Sequence, residues 1–444
     1  MKTRKLLFFF LLWPLMQAHA QSTADRLAYL RDQALVIRNV EPTNEDYTDL
    51  APLKQTLKDV IIVGLGEPIH HDGSAFKAKT RLIKFLHQEL GFRVIAFESG
   101  FYDCYKAWQE IQSGKPTLDA ARKSLYPFWI STETEELFKY IDKQKNTDRP
   151  LLLAGIDCKF SGTYSNENLL PDLTTYLRAS NSAIVQDTAR WRAFSVALGH
   201  AITLSDYYTK PSTADTLVLN PTLKSMLAEL NAKAASAAGR SQEHIFWQQF
   251  CRSSLAEVAR KFSNRKVQNG QKVNEQLRDQ QMGDNLLYLQ RELYKGEKVI
   301  VWAASSHLTY NGANIERAFY QHNLRLGDYI KQRYGDTYYS IGFTGYRGEF
   351  GKLLFFHVLN VKKHKPTSIE YVLGQTKQPF LFIDLNKPNL PQWLQAPLIA
   401  RPFGYKEMRM KLPLVMDGLF YTEEVFQKHW LPPLITEEPK HQTQ

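Results

Sequence analysis

Two carboxylates and a histidine stand at the ends of two strand-like segments early in the chain. Glu67 and His70 follow the apolar run Val60–Leu65, and Glu98 follows the run Ile95-Ala96-Phe97. One helix-length amphipathic segment separates the two runs, which is the layout of a strand–helix–strand unit. In such units the ligand-binding and catalytic residues lie beyond the carboxyl ends of the strands. Glu67, His70 and Glu98 should therefore meet at one sheet edge, where a histidine between carboxylates can act as a general base.

Further ionisable residues are placed to line the same edge. Asp157 ends a third strand-like run, and His307 follows a fourth. Lys79 lies on the packed face of the intervening helix, where its charge either pairs with a carboxylate or reaches out to water. Arg278 lies on a helix face that is otherwise packed, which favours a buried ion pair over a clamp on a substrate carbonyl. His71, next to His70 in the sequence, is a further candidate for contact with a substrate, together with Lys79, Asp157, Arg278 and His307.

Three familiar kinds of site do not fit the sequence. No GxSxG motif occurs, which argues against a serine hydrolase. Ile69 stands where a GxGxxG dinucleotide loop would need its last glycine. Three cysteines without a CxxC pair exclude a thiolate zinc site and a disulfide scaffold.

The chain divides into five segments that differ in their sequence patterns. Residues 1–20 have basic residues, an apolar run and an Ala-x-Ala end, as in a secretory signal peptide, which predicts an exported, periplasmic or secreted protein. Residues 21–168 and 296–433 alternate strand-like and helical patterns and form the predicted catalytic domain. Residues 169–295 read as helical throughout and form a predicted insertion. Residues 434–444 form a predicted flexible tail.

The secondary-structure pattern predicts an α/β fold. We expect a mostly parallel sheet flanked by helices, with an all-helical insertion subdomain over the active-site edge. Helices are predicted over 21–40, from Asp72 to about Leu90, and over 117–144 with a break at Pro127. The predicted strands are Val60–Leu65, Val94–Phe97, Leu151–Asp157, Lys298–Ala303, Tyr338–Phe343, Lys352–Val358, Phe380–Asp384 and Met416–Tyr421.

The amino-acid composition indicates whether nucleic acid or a membrane is an expected binding partner. The chain has 56 Lys and Arg against 45 Asp and Glu, a net charge of +11 spread along its length. Such a surplus is typical of a solvated basic surface, and no basic tract with interleaved aromatics predicts nucleic-acid binding. No segment after the first twenty residues is long and apolar enough to predict a membrane anchor.

These motifs together resemble the erythromycin esterase family. The resemblance is carried by Gly66-Glu67-Pro68-Ile69-His70, by Gly91-Phe92 leading to Glu98, and by Arg278-Asp279 with Met282 and Asn285. Trp302-Ala303 with His307 resembles the family's strand end, and Leu414–Tyr421 resembles its last strand. The matching motifs run in the family's order over nearly the whole mature chain.

The resemblance implies a hydrolase that needs no metal and no cofactor. His70 would take a proton from a water molecule that attacks an ester or lactone carbonyl, and a macrolide lactone is one such substrate. Glu67 and Glu98 would hold the histidine and shape the water site. The residues implied to line the pocket and steady the oxyanion are Lys79, Arg278 and His307.

Two departures from the family pattern leave alternatives open. Lys79 stands where macrolide-cleaving members have arginine, and Ala304-Ser305 replaces a His-Asn pair. One alternative is a metal-dependent hydrolase with Glu67, His70, Glu98 and His307 as ligands. The other is an exported small-molecule-binding protein without activity. The sequence leaves the substrate and the oligomeric state open.

Overall fold

The computed structural model describes most of the chain. The described residues are 22–203, 212–233, 241–263, 267–268, 271–351 and 358–432. The predicted signal peptide and tail lie outside these residues, as does most of the strand predicted over Lys352–Val358. No described helix is long and apolar enough to cross a membrane.

The strands form one large sheet and two small ribbons. Their bounds are β1 Leu35–Val36, β2 Ile62–Glu67, β3 Phe92–Gly100, β4 Leu152–Asp157, β5 Val267–Gln268, β6 Gln271–Lys272, β7 Lys298–Ala304, β8 Tyr338–Gly351, β9 Val358–Asn360, β10 Phe380–Asp384, β11 Leu398–Ala400, β12 Met408–Met410 and β13 Gly418–Val425.

The helices cover both faces of the sheet and fill the segment between β4 and β7. Their bounds are α1 Thr23–Gln33, α2 Leu53–Thr56, α3 Gly73–Leu90, α4 Phe101–Gln112, α5 Thr117–Ser124, α6 Thr132–Gln144, α7 Thr163–Glu167, α8 Leu169–Ala179, α9 Ala183–Gln186, α10 Thr188–Thr203, α11 Thr213–Lys233, α12 Gln242–Ser263, α13 Val273–Tyr288, α14 Ser305–Leu308, α15 Ala318–Gln321, α16 Leu326–Tyr334, α17 Ile369–Gly374 and α18 Gln392–Gln395.

Within the residues that the structure describes, the large sheet has nine strands in the order β1-β10-β13-β8-β2-β7-β3-β4, with β9 paired to β8. The strands from β13 to β4 are parallel, and β1, β10 and β9 join antiparallel to their neighbours. All six residues of β2 are buried, as expected of a central parallel strand covered on both faces. The predicted α/β class with a mostly parallel sheet is confirmed.

Helix α3 begins and ends where the sequence predicts. The Asp72 side chain accepts a hydrogen bond from the backbone N–H of Ala75, which satisfies an otherwise free donor of the first turn. Gly91 closes the helix in the left-handed conformation at φ 72°, which glycine adopts without strain. This capped helix fixes the depth at which Lys79 enters the core.

The structure differs from the sequence prediction in several details, including three in its helices and strands. Helix α1 ends at Gln33, because the chain turns extended at Ala34 and pairs as β1 with β10. Helix α4 was not predicted, although it is amphipathic and largely buried. A two-stranded ribbon, β5 with β6, interrupts the helices of the segment between β4 and β7. The domain boundaries stay predictions.

Candidate active site

The sheet topology brings the strand-end carboxylates together. Strand β7 lies between β2 and β3, so Glu67 pairs in register with Ala304, and Ala304 donates its backbone N–H to Glu98 at 3.1 Å. Asp157 ends β4 beside β3. His307 lies in α14, directly after β7. Four strands therefore deliver their polar ends to one edge, as the sequence predicts.

Glu67 is the centre of the first cluster. Its carboxylate has three partners: the Nδ1 of His70 at 3.0 Å, the indole N–H of Trp129 at 3.1 Å, and the ammonium of Lys79. Glu67 and Lys79 are both fully buried. The lysine also lies over the ring of Trp302, 4.0 Å from its centroid.

Burial and pairing set the charge states of this cluster. Burial alone would raise the pKa of Glu67, but Lys79 and the bond to His70 outweigh it and lower the pKa to about 2. Burial lowers the pKa of Lys79 to about 8 despite the attraction of Glu67. Both groups are therefore charged near neutral pH, and Lys79 positions the carboxylate from behind. Of the two roles left open for Lys79, the structure shows the ion pair.

His70 is held so that one ring nitrogen stays available. An ionised Glu67 accepts the Nδ1–H, which leaves Nε2 with a free lone pair. The imidazole stacks on Phe128 at 4.4 Å between centroids and 14° between planes, and meets Trp129 edge-on at 5.8 Å. Its side chain is 23% exposed, so water reaches the ring. This combination suits a general base.

Arg278 is the centre of the second cluster. Its guanidinium donates to Asp157 through Nε and Nη2, at 3.0 and 2.6 Å from Oδ2, and to Glu98 through Nη2 at 2.7 Å. Arg278 and His307 hold the pKa of Glu98 well below its ordinary range, against the effect of burial. The two carboxylates in turn hold the pKa of Arg278 well above its ordinary value. The predicted ion pair of Arg278 is present, with two carboxylates.

His307 bridges Glu98 to a further ion pair. Its Nδ1 lies 2.6 Å from Asp279 and its Nε2 lies 3.2 Å from Glu98. Burial disfavours the imidazolium, but Asp279 and Glu98 outweigh it and raise the pKa of His307 to about 9. Both ring nitrogens then donate to carboxylates. Arg325 holds the other oxygen of Asp279 at 2.9 Å.

His71 lies in a separate position from His70. It is 4% exposed and packs edge-on against Trp430 at 5.7 Å. Burial lowers its pKa to about 4, so the ring is neutral near pH 7. Its Nε2 has no hydrogen-bond partner among the described residues.

The structure divides the predicted site residues into two clusters. Glu67, His70 and Lys79 form the first. Glu98 contacts His307 and the Arg278–Asp157 pair rather than His70, on which it acts only through its charge. Glu98 is therefore placed to organise the pocket wall, whereas Glu67 alone holds the histidine.

Three partners were missed from the sequence. Trp129 follows the predicted break at Pro127, Asp279 entered only through the family motif, and Arg325 had no signal of its own. A tryptophan two residues after a proline inside a helical pattern is a signal for a loop that carries an aromatic side chain inward. Nothing in the spacing of Arg325 predicts its contact, because the pairing depends on how α16 packs on α13.

The carboxylates that a metal-dependent site would need are already neutralised. Glu67 binds Lys79, and Glu98 binds Arg278. Within the part of the chain that the structure describes, no group of three His, Cys, Asp or Glu side chains is arranged to hold a metal ion. Glu67 and Glu98 are therefore paired with cationic side chains in this structure.

An open cavity of about 420 Å³ lies beside this edge. Pro68 and Ser306, the neighbours of Glu67 and His307, form part of its wall. The stacked rings of Tyr320 and Phe403, 4.9 Å apart, form another part, and Arg317 adds a cation. Its volume lies within the range of small-molecule binding pockets, about 300–1,000 Å³.

The sequence profile of the erythromycin esterase family matches residues 87–425, which is most of the chain. The chain belongs to the erythromycin esterase family. Glu67, His70 and Lys79 precede the matched region, so their roles rest on the geometry described above.

Curated relatives point in the same direction. The Bacillus subtilis protein YbfO, a provisionally assigned hydrolase, is 27% identical over 404 residues that span 87% of this chain and 88% of YbfO. The erythromycin esterase type II of Escherichia coli is 24% identical over 430 residues, covering 89% of this chain and 97% of the relative. Family and relatives make this protein a hydrolase with a small-molecule substrate.

Solved structures share the fold of this family member. A Bacillus cereus protein superposes with a TM-score of 0.78 at 21% identity, over 93% of this chain and 100% of that one. A succinoglycan biosynthesis protein gives 0.74 at 18% identity, over 92% and 99%. A mutant erythromycin esterase in an open conformation gives 0.65 at 14% identity, over 89% and 98%.

Proposed function

We propose that this erythromycin esterase family member hydrolyses carboxylic esters or lactones, with His70 as the general base. The observation that carries the proposal is the contact between His70 Nδ1 and the buried carboxylate of Glu67. The same carboxylate is fixed by Lys79 and Trp129, so it cannot turn away from the ring. A histidine oriented in this way by an ionised carboxylate has its other nitrogen ready to accept a proton.

The proposed reaction begins with water next to His70. Nε2 accepts a proton from the water while the water oxygen bonds to the ester carbonyl carbon. The carbonyl π electrons move to oxygen, giving a tetrahedral oxyanion. On collapse the C–O bond to the alcohol breaks, and the His70 imidazolium returns its proton to the leaving oxygen. Glu67 stays ionised throughout, because it stabilises the imidazolium formed in between.

Arg278 and His307 supply positive charge to the same edge of the sheet. Each is held by two carboxylates, so neither can move far when charge develops on a substrate. Their N–H groups are already donated to these carboxylates, so we propose that they act on the oxyanion through their fixed charge, which needs no reorganisation. Lys79 acts differently: its side chain is fully buried behind Glu67, so it positions the base and does not contact substrate.

The proposal is tested with a panel of aryl esters, alkyl esters and lactones. We expect the wild type to hydrolyse at least one of them, and His70→Ala to lose about three orders of magnitude in kcat, as for loss of a general base. His200→Ala removes an exposed histidine of α10 and serves as the matched control. Full activity of His70→Ala would refute the proposal.

The same panel separates the metal-dependent alternative. Activity that survives dialysis against a strong chelator supports water activation by His70 alone. Activity that is lost with chelator and restored by a divalent cation would favour the alternative. Binding of a lactone without turnover, seen as a rise in Tm, would favour a non-catalytic binding protein.

We also propose that the chain is exported through residues 1–20 and acts outside the cytoplasm. The proposal rests on the basic, apolar and Ala-x-Ala pattern of those residues. Mass spectrometry of the protein from a cell envelope fraction should show a mature chain that begins near Gln21. A full-length chain in the cytoplasmic fraction would contradict it.

A further inference from the structure

Two buried side-chain nitrogens near His70 have no partner in the ion-pair clusters of the site. Lys428 is 2% exposed and His71 is 4% exposed. Among the described residues, neither the Lys428 ammonium nor His71 Nε2 has a hydrogen-bond partner. Burying a polar group without a partner is unfavourable, and burying an unpaired charge more so. Buried polar groups without a hydrogen-bond partner in a native protein need an explanation, and a ligand-binding role is one.

Both side chains contact the ring of Trp430, which is 46% exposed. The Lys428 ammonium lies 3.0 Å from the centre of the Trp430 ring, and the His71 ring meets the same tryptophan edge-on at 5.7 Å. His71 also packs at 6.4 Å against Phe128, the ring on which His70 stacks. These two nitrogens, which lack hydrogen-bond partners, therefore lie near Phe128, the ring that contacts the general base.

The chain holds these side chains in place from both sides. Residues 426–432, here called the C-terminal segment, cross the start of α3 and the start of α6. Gln427 forms an antiparallel bridge with Asp72, and Trp430 forms one with Ser131. The Lys428 backbone N–H donates to the His71 carbonyl at 3.4 Å. Lys428 is thus fixed next to His71.

No carboxylate of the described chain contacts the ammonium. Glu133 acts on Lys428 through its charge, but its oxygens accept hydrogen bonds from the ring and backbone of His429, at 2.7 and 3.2 Å. Burial lowers the pKa of Lys428 to about 7. An acceptor with a negative charge would restore the charged form of Lys428 and would also accept the Nε2–H of His71 in that tautomer of the neutral ring.

We propose that His71 and Lys428 bind a carboxylate carried by the substrate, beside the ester group that His70 hydrolyses. The assignment of a substrate class rests on the proposed function, whereas the anion site itself does not. An acidic ester would place its free carboxylate between the ammonium and the His71 N–H. Its carbon chain would lie along Phe128 and Trp430. The preferred substrates are then monoesters of dicarboxylic acids over the corresponding neutral diesters.

The first experiment measures binding without turnover. Calorimetric titration compares glutarate with its uncharged analogue glutaramide on the full chain. We expect glutarate to bind more tightly, and Lys428→Met to weaken glutarate by about tenfold or more, the value of a charge-assisted hydrogen bond. Lys58→Met removes an exposed lysine before β2, at the opposite sheet edge, and should change nothing. Equal binding of glutarate and glutaramide, or unchanged binding by Lys428→Met, would overturn the proposal.

Thermal unfolding separates a binding role from a structural one. Methionine keeps the length and apolar contacts of lysine without its unpaired charge. We therefore expect Lys428→Met to keep or raise the Tm while it loses glutarate binding. A marked fall in Tm would show that the ammonium has a structural partner and would overturn the proposal.

The second experiment measures hydrolysis of monoethyl and diethyl glutarate in a pH-stat. The wild type should prefer the monoester, and Lys428→Met should lose that preference while still hydrolysing the diester. Failure of the proposed function gives a different result, in which neither ester is hydrolysed although glutarate binding still depends on Lys428. Hydrolysis with the same preference in both proteins would overturn the anion site alone.

Discussion

His307 should make the stability of the protein fall as the pH rises above neutral. The group is fully buried between Asp279 and Glu98, and its pKa is raised from 6.5 to about 9. A raised pKa means that the folded state binds the proton more tightly than the unfolded state does. The stabilisation is therefore complete below about pH 6.5 and is lost as the pH rises through about 9. A shift of this size corresponds to about 3 kcal/mol of unfolding free energy.

The measurement is urea unfolding, followed by tryptophan fluorescence, of the wild type and His307→Gln at about pH 6 and about pH 9.5. The variant should lose more free energy of unfolding at the lower pH, and the difference between the two pH values should be about 3 kcal/mol. Lys428 and Glu370, whose pKa values are each about 7, titrate in both proteins, so their effects cancel in the comparison.

The opposite outcome is equally informative. If the two proteins show the same pH dependence, His307 is neutral when folded, and the contact with Glu98 is not an ion pair. Of the two groups proposed to act on the oxyanion, only Arg278 would then carry a positive charge.

Three further outcomes follow from the packing. Lys79→Met should cost about 3–5 kcal/mol in urea unfolding, because it leaves a buried carboxylate unpaired, and the double variant with Glu67→Gln should regain part of that loss. Gly66→Ala should destabilise by about 1–3 kcal/mol in the same assay, because its new Cβ would lie 2.7 Å from the Ser305 Cα; an unchanged midpoint would contradict this contact. The folded protein should not react with a thiol reagent until urea is added, because burial raises the pKa of all three cysteines, Cys104, Cys158 and Cys251.

The parts of the site that depend on local pattern could be predicted from the sequence. Glu67 and Glu98 end buried strands, and parallel strands must deliver their ends to one edge. The spacing of Glu67 and His70 made their contact predictable, and it is present at 3.0 Å. The capped helix placed Lys79 on the packed face, where an ion pair was one of two expected solutions.

The other contacts of the site depend on which strands and segments are neighbours in the folded protein, and sequence spacing does not give this information. Glu98 contacts His307 rather than His70 because β7 lies between β2 and β3 in the sheet. In the sequence, β7 begins about two hundred residues after the end of β3. Lys428 gave no signal, because a single lysine near a chain end is usually solvated. Its burial follows from the backbone bridges of Gln427 with Asp72 and of Trp430 with Ser131, which no local sequence pattern predicts.

The position of β7 also sets the order in which the chain can fold. Strands β2 and β3 are close in sequence, yet they are separated in the sheet by a strand that follows the whole helical segment. Long-range pairing of this kind slows folding, because a large loop must close before the sheet gains its central strand. His70 and His307 can therefore reach one sheet edge only after β7 has joined β2 and β3. A chain truncated before Lys298 contains His70, Glu67, Glu98 and Arg278, but no sheet that can hold them together.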